Sequence, residues 1–342
     1  MALSKEFRTK DIRETLAATG MKGRNITFLD DFDRKQILAL YQVAEMLEPF
    51  MRTGTNLLQG KALYTLFFQP STRTRCSHEN AMLRLGGSVI TESDPTRNSA
   101  AAKNESLYDS LRVTSQYADV IVMRHPDDKE ALAAVKDLGR DTSPIISGGY
   151  GHVTHPTQGL LDSYTCYRAF GNLEKVTVVI SSPDLSRARS GQSFALALAA
   201  MGARIVYSGT SALRTPEIIR NKLTSLGARW EEHFDLNFKQ HEKLFADVGA
   251  DVVYLPGSSL KKDDPKREEF MKKLADHYIS LEMLTNVKKK TGKVVGVHHS
   301  LPRNPGEIDM AIDGDEHELY FKAIGFSVAI RMALLAAVVG VN

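Results

Sequence analysis

The chain predicts an α/β fold of two doubly wound parallel-sheet domains, and three observations carry that prediction. Short β-branched and aliphatic runs alternate with helical patterns along the length. The residues with chemical potential follow predicted strands, where the ligands of open parallel sheets bind. At 342 residues there is room for two domains of ordinary size, and a Gly-rich stretch near 150, "SGGYGHVTHPTQ", divides them.

The elements follow in order. Strands are expected at 62–68, 88–91, 119–123, 144–147, 175–180, 203–207, 251–255 and 293–297, from runs such as "ALYTLFF", "DVIVM" and "KVTVVI". Helices are expected at 35–49, 74–85, 105–117, 156–170, 189–201, 215–226, 238–248 and 267–277. In the helix after "ALYTLFF", Cys76, Ala81, Met82 and Leu85 fall at helical spacing and Gly86-Gly87 closes the segment. The last apolar stretch, "FSVAIRMALLAAVVGVN", reads as a buried C-terminal helix, because it is short and interrupted by arginine. These boundaries place the first domain at 1–155, with the C-terminal helix 311–342 packing back on it, and the second at 156–310.

Composition narrows the function. With 42% apolar and 25% charged residues the chain is a soluble globular type, and a net charge of +3 gives no reason to expect a nucleic-acid surface or a membrane partner. The two cysteines, Cys76 and Cys166, lack metal-ligand spacing and suit a reducing cytoplasm rather than a disulfide framework. The N-terminus lacks the apolar core of a signal peptide. The Lys runs at 261–262 and 288–290 read as solvated faces.

Five clusters follow strands. "FFQPSTRTRCSHENAMLRLGG" places Ser71, Thr72, Arg73 and Thr74 between a strand and a helix. Free N–H groups and the macrodipole at a helix start favour an anion, and hydroxyls with guanidinium forks suit a phosphate. A plain Ser/Thr cap beside solvated arginines is the alternative for that motif alone. "VIVMRHP" ends a strand with Arg124 and His125, and "GHVTHPTQGLLD" sets His155 and Gln158 around Pro156 at a helix start. "VVISSPDLSRARSGQS" brings Arg187 and Arg189 to the next helix, and "VVGVHHSLPRNPGEID" ends the last strand at His299, Ser300 and Leu301. Each could be structural alone; together on the ligand edges of the sheets they make a site.

In their order and spacing, S-T-R-T-R, M-R-H-P, H-P-T-Q-x-L-L-D, the R-S after a D-L turn and H-x-L-P-R resemble the aspartate/ornithine carbamoyltransferase family from about residue 20 to 340. H-x-L-P-R and M-R-H-P are more similar to the aspartate branch. The resemblance implies an active site in the cleft between the domains, carbamoyl phosphate as one substrate and an amino acid as the other, with no metal or organic cofactor. Ser71, Thr72, Arg73 and Thr74 would cradle the phosphate. Arg124, His155 and Thr74 would meet the carbonyl oxygen, where negative charge builds during attack and fixed donors are needed. Gln158 and the backbone carbonyls of Ser300 and Leu301 would bind the carbamoyl NH2, and His155 would polarise rather than act as a base. "RNSAAAKNESLYDSLR" is similar to a family loop donated across a trimer interface, which makes Ser99 and Lys103 catalytic groups of a neighbouring copy and implies a homotrimer. A separate regulatory or dihydroorotase chain is a further partner the family admits, and the sequence itself carries no such module.

Arg189 matches the arginine that grips an aspartate α-carboxylate, with Lys103, Ser259 and Leu301 completing the acceptor set. After "ADVVYL", however, aspartate-type enzymes carry R-x-Q-x-E-R, and this chain has "PGSSLKKDDPKREEF", so Gly257 and Ser259 stand where Arg and Gln would be. Gln69 replaces an acidic residue two places before Ser71, and Gly325-Phe326 replaces Asn-Gly. L-Aspartate, giving N-carbamoyl-L-aspartate for pyrimidine biosynthesis, is the first named acceptor by overall resemblance. A different amino acceptor is the alternative, with Lys261 or Lys262 as the other source of positive charge. An inactive homologue serving as a structural partner is the third reading, and the retention of so many costly polar groups argues against it.

Overall fold

The computed structural model describes residues 11–95, 105–139, 142–257 and 267–341. Contacts divide them into two units, one running up to Thr157 and resuming at Phe326, the other Gln158–Gly325.

In the first unit, four strands pair in parallel in the order β2-β1-β3-β4: β1 (Ala62–Phe67), β2 (Ser88–Glu92), β3 (Val120–His125) and β4 (Ile145–Tyr150). Around them run α1 (Ile12–Ala18), α2 (Arg34–Leu47), the short α3 (Phe50–Thr53), α4 (Thr72–Arg84), α5 (Leu107–Thr114) and α6 (Asp128–Leu138). A capping box between Asp33 and Gln36 starts α2, and Asp127 caps α6 through the N–H groups of Lys129 and Glu130. Strands β3 and β4 are buried at every position, as parallel strands covered by helices require. One core cluster joins Leu66, Ile121 and Met123 from the sheet to Leu107, Leu111, Val135 and Leu138 from α5 and α6. Each such side chain contributes about 1.5–3 kcal/mol when fully buried.

Helix α7 (Pro156–Phe170) carries the chain into the second unit. There the order is β7-β6-β5-β8-β9, again all parallel, with β5 (Thr177–Ser181), β6 (Arg204–Gly209), β7 (Arg229–Phe234), β8 (Val252–Leu255) and β9 (Gly296–His299). Its helices are α8 (Arg189–Ala200), α9 (Glu217–Ser225), α10 (Phe238–Asp247), α11 (Arg267–Asp276) and α12 (Leu281–Thr291). Val179, Val206, Val253 and Val297 from the sheet pack with Phe245, Leu284 and Tyr320. Helix α13 (Tyr320–Val339) returns the chain to the first unit, where Ala329 to Val338 are all buried, Arg331 among them. Its length and mean hydropathy of 1.8 would suit a membrane span, yet most of it is covered by protein.

The structure departs from the sequence expectations at several places. Strand β7, "RWEEHF", has no apolar run, because it is an edge strand that pairs only with β6. Helices α6 and α12 fill connections for which no helix was expected. The C-terminal helix begins at Tyr320 rather than 311, and residues 311–325 go with the second unit. Val297 N–H donates to His317 O, Leu319 N–H donates to Val297 O, and Val295 O meets His317 Nδ1 at 2.7 Å, so this segment is bound to β9. Finally, Cys76 is exposed; the buried face of α4 is Thr74, His78, Ala81 and Met82.

Candidate active site

In each sheet the chain order reverses once, between β1 and β3 and between β5 and β8. A crevice opens beyond the strand ends at such a point. The candidate residues collect at both.

The first group surrounds the ends of β1 and β3, which finish level, with Phe67 opposite Arg124. Ser71 is the N-cap of α4 with extended backbone, φ −160° and ψ 93°, yet its hydroxyl makes no capping hydrogen bond. The hydroxyl that usually satisfies the first turn is thus withheld, and the N–H groups of that turn point at whatever anion arrives. Thr72 and Arg73 are exposed, Ser71 is half-buried and Thr74 is buried. The second arginine of the motif serves the scaffold instead. Arg75 pairs with Glu79 at 3.0 Å, and Glu79 also accepts from Thr65 and Thr91. That is an i,i+4 pair tying α4 to β1 and β2, which the sequence reading did not pick out.

Arg124 lies at 9% exposure at the end of β3. Its Nε donates to Gln69 Oε1 at 3.3 Å and its Nη1 to Gly148 O at 3.2 Å. Both acceptors are neutral. A carboxylate at 69 would cancel part of the guanidinium charge; Gln69 orients the fork without adding a negative charge. His155 joins this group: Nε2 lies 3.3 Å from Thr74 Oγ1, and Nδ1 lies 3.3 Å from Thr157 Oγ1. Since a hydroxyl donates or accepts, either tautomer is held. Thr157 was not singled out from the sequence. Behind the turn, His78 is fully buried, with Nδ1 2.7 Å from Thr74 O. Burial, and then the nearby Arg331 cation, push its pKa down to about 3, so it is neutral and donates from Nδ1 to that carbonyl. His125, by contrast, turns away to Asp127 O and stacks edge-on with Phe68.

The second group gathers at the ends of β5, β8 and β9. Pro256 O accepts from Ser190 Oγ at 3.2 Å and from Ser300 Oγ at 2.6 Å, which fastens the starts of α8 and of the turn after β9 to the end of β8. Arg189 is the first residue of α8, half-buried, behind an N-cap alanine that offers no side chain. Burial pushes its guanidinium down to about 10, still protonated at neutral pH. A carboxylate at this place would meet both the guanidinium and the positive end of the helix dipole. Arg187 is exposed, 3.9 Å from Asp184.

After β9, Leu301 holds φ +54°, a left-handed value that costs a leucine about 1–2 kcal/mol. His299 holds it there: Leu301 N–H donates to His299 Nδ1 at 2.7 Å, while Nε2 faces buried Glu307 at 3.1 Å. The carbonyls of Ser300 and Leu301 belong to this fixed turn. Gly257 adopts φ +72°, and a Cβ there would stand 3.3 Å from the His299 ring and 3.4 Å from Ser300 Oγ.

Gln158, in the first turn of α7, donates from Nε2 to Asp162 Oδ1 at 2.7 Å. Asp162 is fully buried and also takes the Tyr254 hydroxyl at 2.7 Å, with His298 Nε2 at 3.2 Å. Asp162 closes the H-P-T-Q-x-L-L-D motif, but the sequence reading gave it no role. Ser99, Lys103, Ser259, Lys261 and Lys262 lie outside the described residues.

Comparisons with known proteins bear on the family and the fold. The family model "Aspartate/ornithine carbamoyltransferase, carbamoyl-P binding domain" matches residues 24–168. A ureidoglycine carbamoyltransferase of Rubrobacter xylanophilus is 47% identical over 330 residues, 96% of each chain. The aspartate carbamoyltransferase catalytic subunit of Thermococcus kodakarensis is 38% identical, over 94% of this chain and 98% of its own. Among solved structures, aspartate transcarbamoylase of Trypanosoma cruzi in complex with carbamoyl phosphate aligns with a TM-score of 0.77 at 30% identity, covering 94% of this chain and 98% of that one. The catalytic subunit of M. jannaschii aspartate transcarbamoylase aligns at 0.75 and 34%, covering 92% and 99%. With these sequence motifs, two parallel sheets and clustered strand-end residues, the chain belongs to the aspartate/ornithine carbamoyltransferase family and is a transferase of carbamoyl groups.

Proposed function

We propose that the chain transfers the carbamoyl group of carbamoyl phosphate to an amine whose carbon skeleton bears one carboxylate, and that ureidoglycine is favoured over aspartate. The observation that carries the choice is Gly257. The aspartate-type pattern has an arginine at this place to hold a second carboxylate; here the backbone is left-handed, at φ +72°, and Ser300 and the His299 ring crowd the Cβ position. Ureidoglycine carries one carboxylate, which Arg189 would take, and a neutral ureido group that calls for hydrogen bonds rather than a cation. The 47% identical relative is named for that substrate, and the relatives named for aspartate are more distant.

In this reading Ser71, Thr72, Arg73 and Thr74 hold the phosphate of the donor. Arg124, His155 and Thr74 face the carbonyl oxygen, and Gln158 with the carbonyls of Ser300 and Leu301 receive the NH2 group. The acceptor nitrogen forms a bond to the carbonyl carbon while the bond from carbon to the bridging oxygen breaks. The phosphate leaves and takes the proton shed by the amine. His155, set between two hydroxyls, polarises the carbonyl and needs no change of protonation. Ser99 and Lys103 would serve a neighbouring copy in a homotrimer.

Phosphate release tests the acceptor: carbamoyl phosphate is supplied with ureidoglycine, aspartate or ornithine. The expected order puts ureidoglycine first by at least tenfold in kcat/KM. Aspartate turned over as well as ureidoglycine would return the choice to the aspartate branch.

A further inference from the structure

Gln158 has an amide that could present either its oxygen or its nitrogen, and a carbamoyl NH2 is satisfied only by the oxygen. We propose that Asp162 is a positioning residue that locks Gln158 with its carbonyl oxygen outward, and thereby makes the site choose a donor bearing NH2 on the acyl carbon over one bearing CH3. The inference rests on the function proposed above.

Asp162 is fully buried, two donors bind its carboxylate, and His298 Nε2 lies close beside it. Gln158 Nε2 stands 2.7 Å from Oδ1, and the Tyr254 hydroxyl donates to Oδ2 at 2.7 Å. The third neighbour is fixed by its own tautomer. His299 N–H donates to His298 Nδ1 at 2.8 Å, so the His298 proton is on Nε2, which faces Asp162 Oδ1 at 3.2 Å. Turning the Gln158 amide over would set its oxygen against a carboxylate oxygen in a buried place, with no donor between them. Sliding α7 is no escape. A Cβ on Gly159 would stand 2.6 Å from the backbone of Ser193, so α7 and α8 touch through a glycine next to Gln158. Tyr254, from β8, thus holds Asp162 with His298 of β9 beside it, and Asp162 holds Gln158.

The test is Asp162→Asn, which keeps shape but offers an amide that tolerates both orientations of Gln158. The readout is donor selectivity: kcat/KM for carbamoyl phosphate set against the inhibition constant of acetyl phosphate, which has CH3 in place of NH2. Selectivity should fall about tenfold, the scale of one hydrogen bond. The inhibition constant of inorganic phosphate should stay as in wild type. Gln158→Ala should show the same loss, and the double variant no more than either. Tyr254→Phe, which takes one donor from Asp162 and leaves Gln158 untouched, should lower the melting temperature and keep the selectivity.

Gln158→Glu supplies an independent arm should Asp162→Asn not fold. A carboxyl at 158 imitates the amide only when protonated, donating its O–H to Asp162. Its kcat/KM should therefore recover as pH falls, which Gln158→Ala cannot do. Unchanged selectivity in Asp162→Asn, additive losses in the double variant, or no acid recovery in Gln158→Glu overturns the proposal. Failure of the wild type to turn over carbamoyl phosphate with any amine would instead strike the function reading beneath it.

Discussion

Replacing Arg124 by alanine separates two jobs that one guanidinium performs. Its Nε donates to Gln69 at 3.3 Å and its Nη1 to Gly148 O at 3.2 Å. Loss of a preorganised donor to a developing oxyanion costs about 2.7–4 kcal/mol, or roughly 10²–10³ in kcat. The structural job is separate: the buried Gly148 carbonyl loses a donor, which costs about 1–3 kcal/mol of stability. Phosphate release at saturating carbamoyl phosphate measures the first and thermal unfolding the second. Arg124→Lys should recover part of the stability and little of the rate, because an ammonium cannot fork between the strand ends and the substrate. A folded Arg124→Ala enzyme with kcat within threefold of wild type would refute the assignment of Arg124 to the carbonyl oxygen.

Arg189→Ala should raise the acceptor KM about 10–150-fold, the range for a charged hydrogen bond of 1.5–3 kcal/mol, with the KM for carbamoyl phosphate unchanged. Acid should weaken the first unit through His78. Its folded pKa of about 3 lies below the ordinary 6.5, so the unfolded chain binds the proton first and stability is lost as pH falls from 6.5 toward 3. Between pH 7 and 4.5 that amounts to roughly 2–3 kcal/mol, and denaturant titration of His78→Phe should show a correspondingly smaller drop. Gly257→Ala should lower the melting temperature by about 2–8 °C, from about 1–2 kcal/mol of left-handed strain, and Gly257→Arg should gain no aspartate turnover.

Much of the first group was legible because its chemistry is local. Ser71 to Thr74 lie together in the chain, and a strand before them and a helix after them fix where they point. The same motif concealed the difference between Arg73 and Arg75, which share a residue type and part only through Glu79, four residues beyond Arg75. The alternating pattern also located both sheets, except for β7, whose Arg229, Glu231 and Glu232 carry no apolar run. Asp162 was beyond reach for another reason. Its burial depends on Tyr254 and His298, 92 and 136 positions further on, which only tertiary structure brings to it. Gly257 stood out in the sequence as a missing arginine; that its backbone lies at φ +72° is conformational and has no letter.

That glycine bears on how acceptor preference can change over generations. Glycine and arginine codons differ by one base, so an arginine at 257 is a frequent mutation for a chain like this one. With the backbone at φ +72° and the Cβ position 3.3 Å from the His299 ring, such a mutant loses stability before its new cation can serve. The mutation is accessible and unrewarded. In the proposed reading, a change between one-carboxylate and two-carboxylate acceptors needs a changed backbone at 257 as well as a new side chain. Acceptor preference in that reading rests on the backbone at Gly257 and not on a side chain alone.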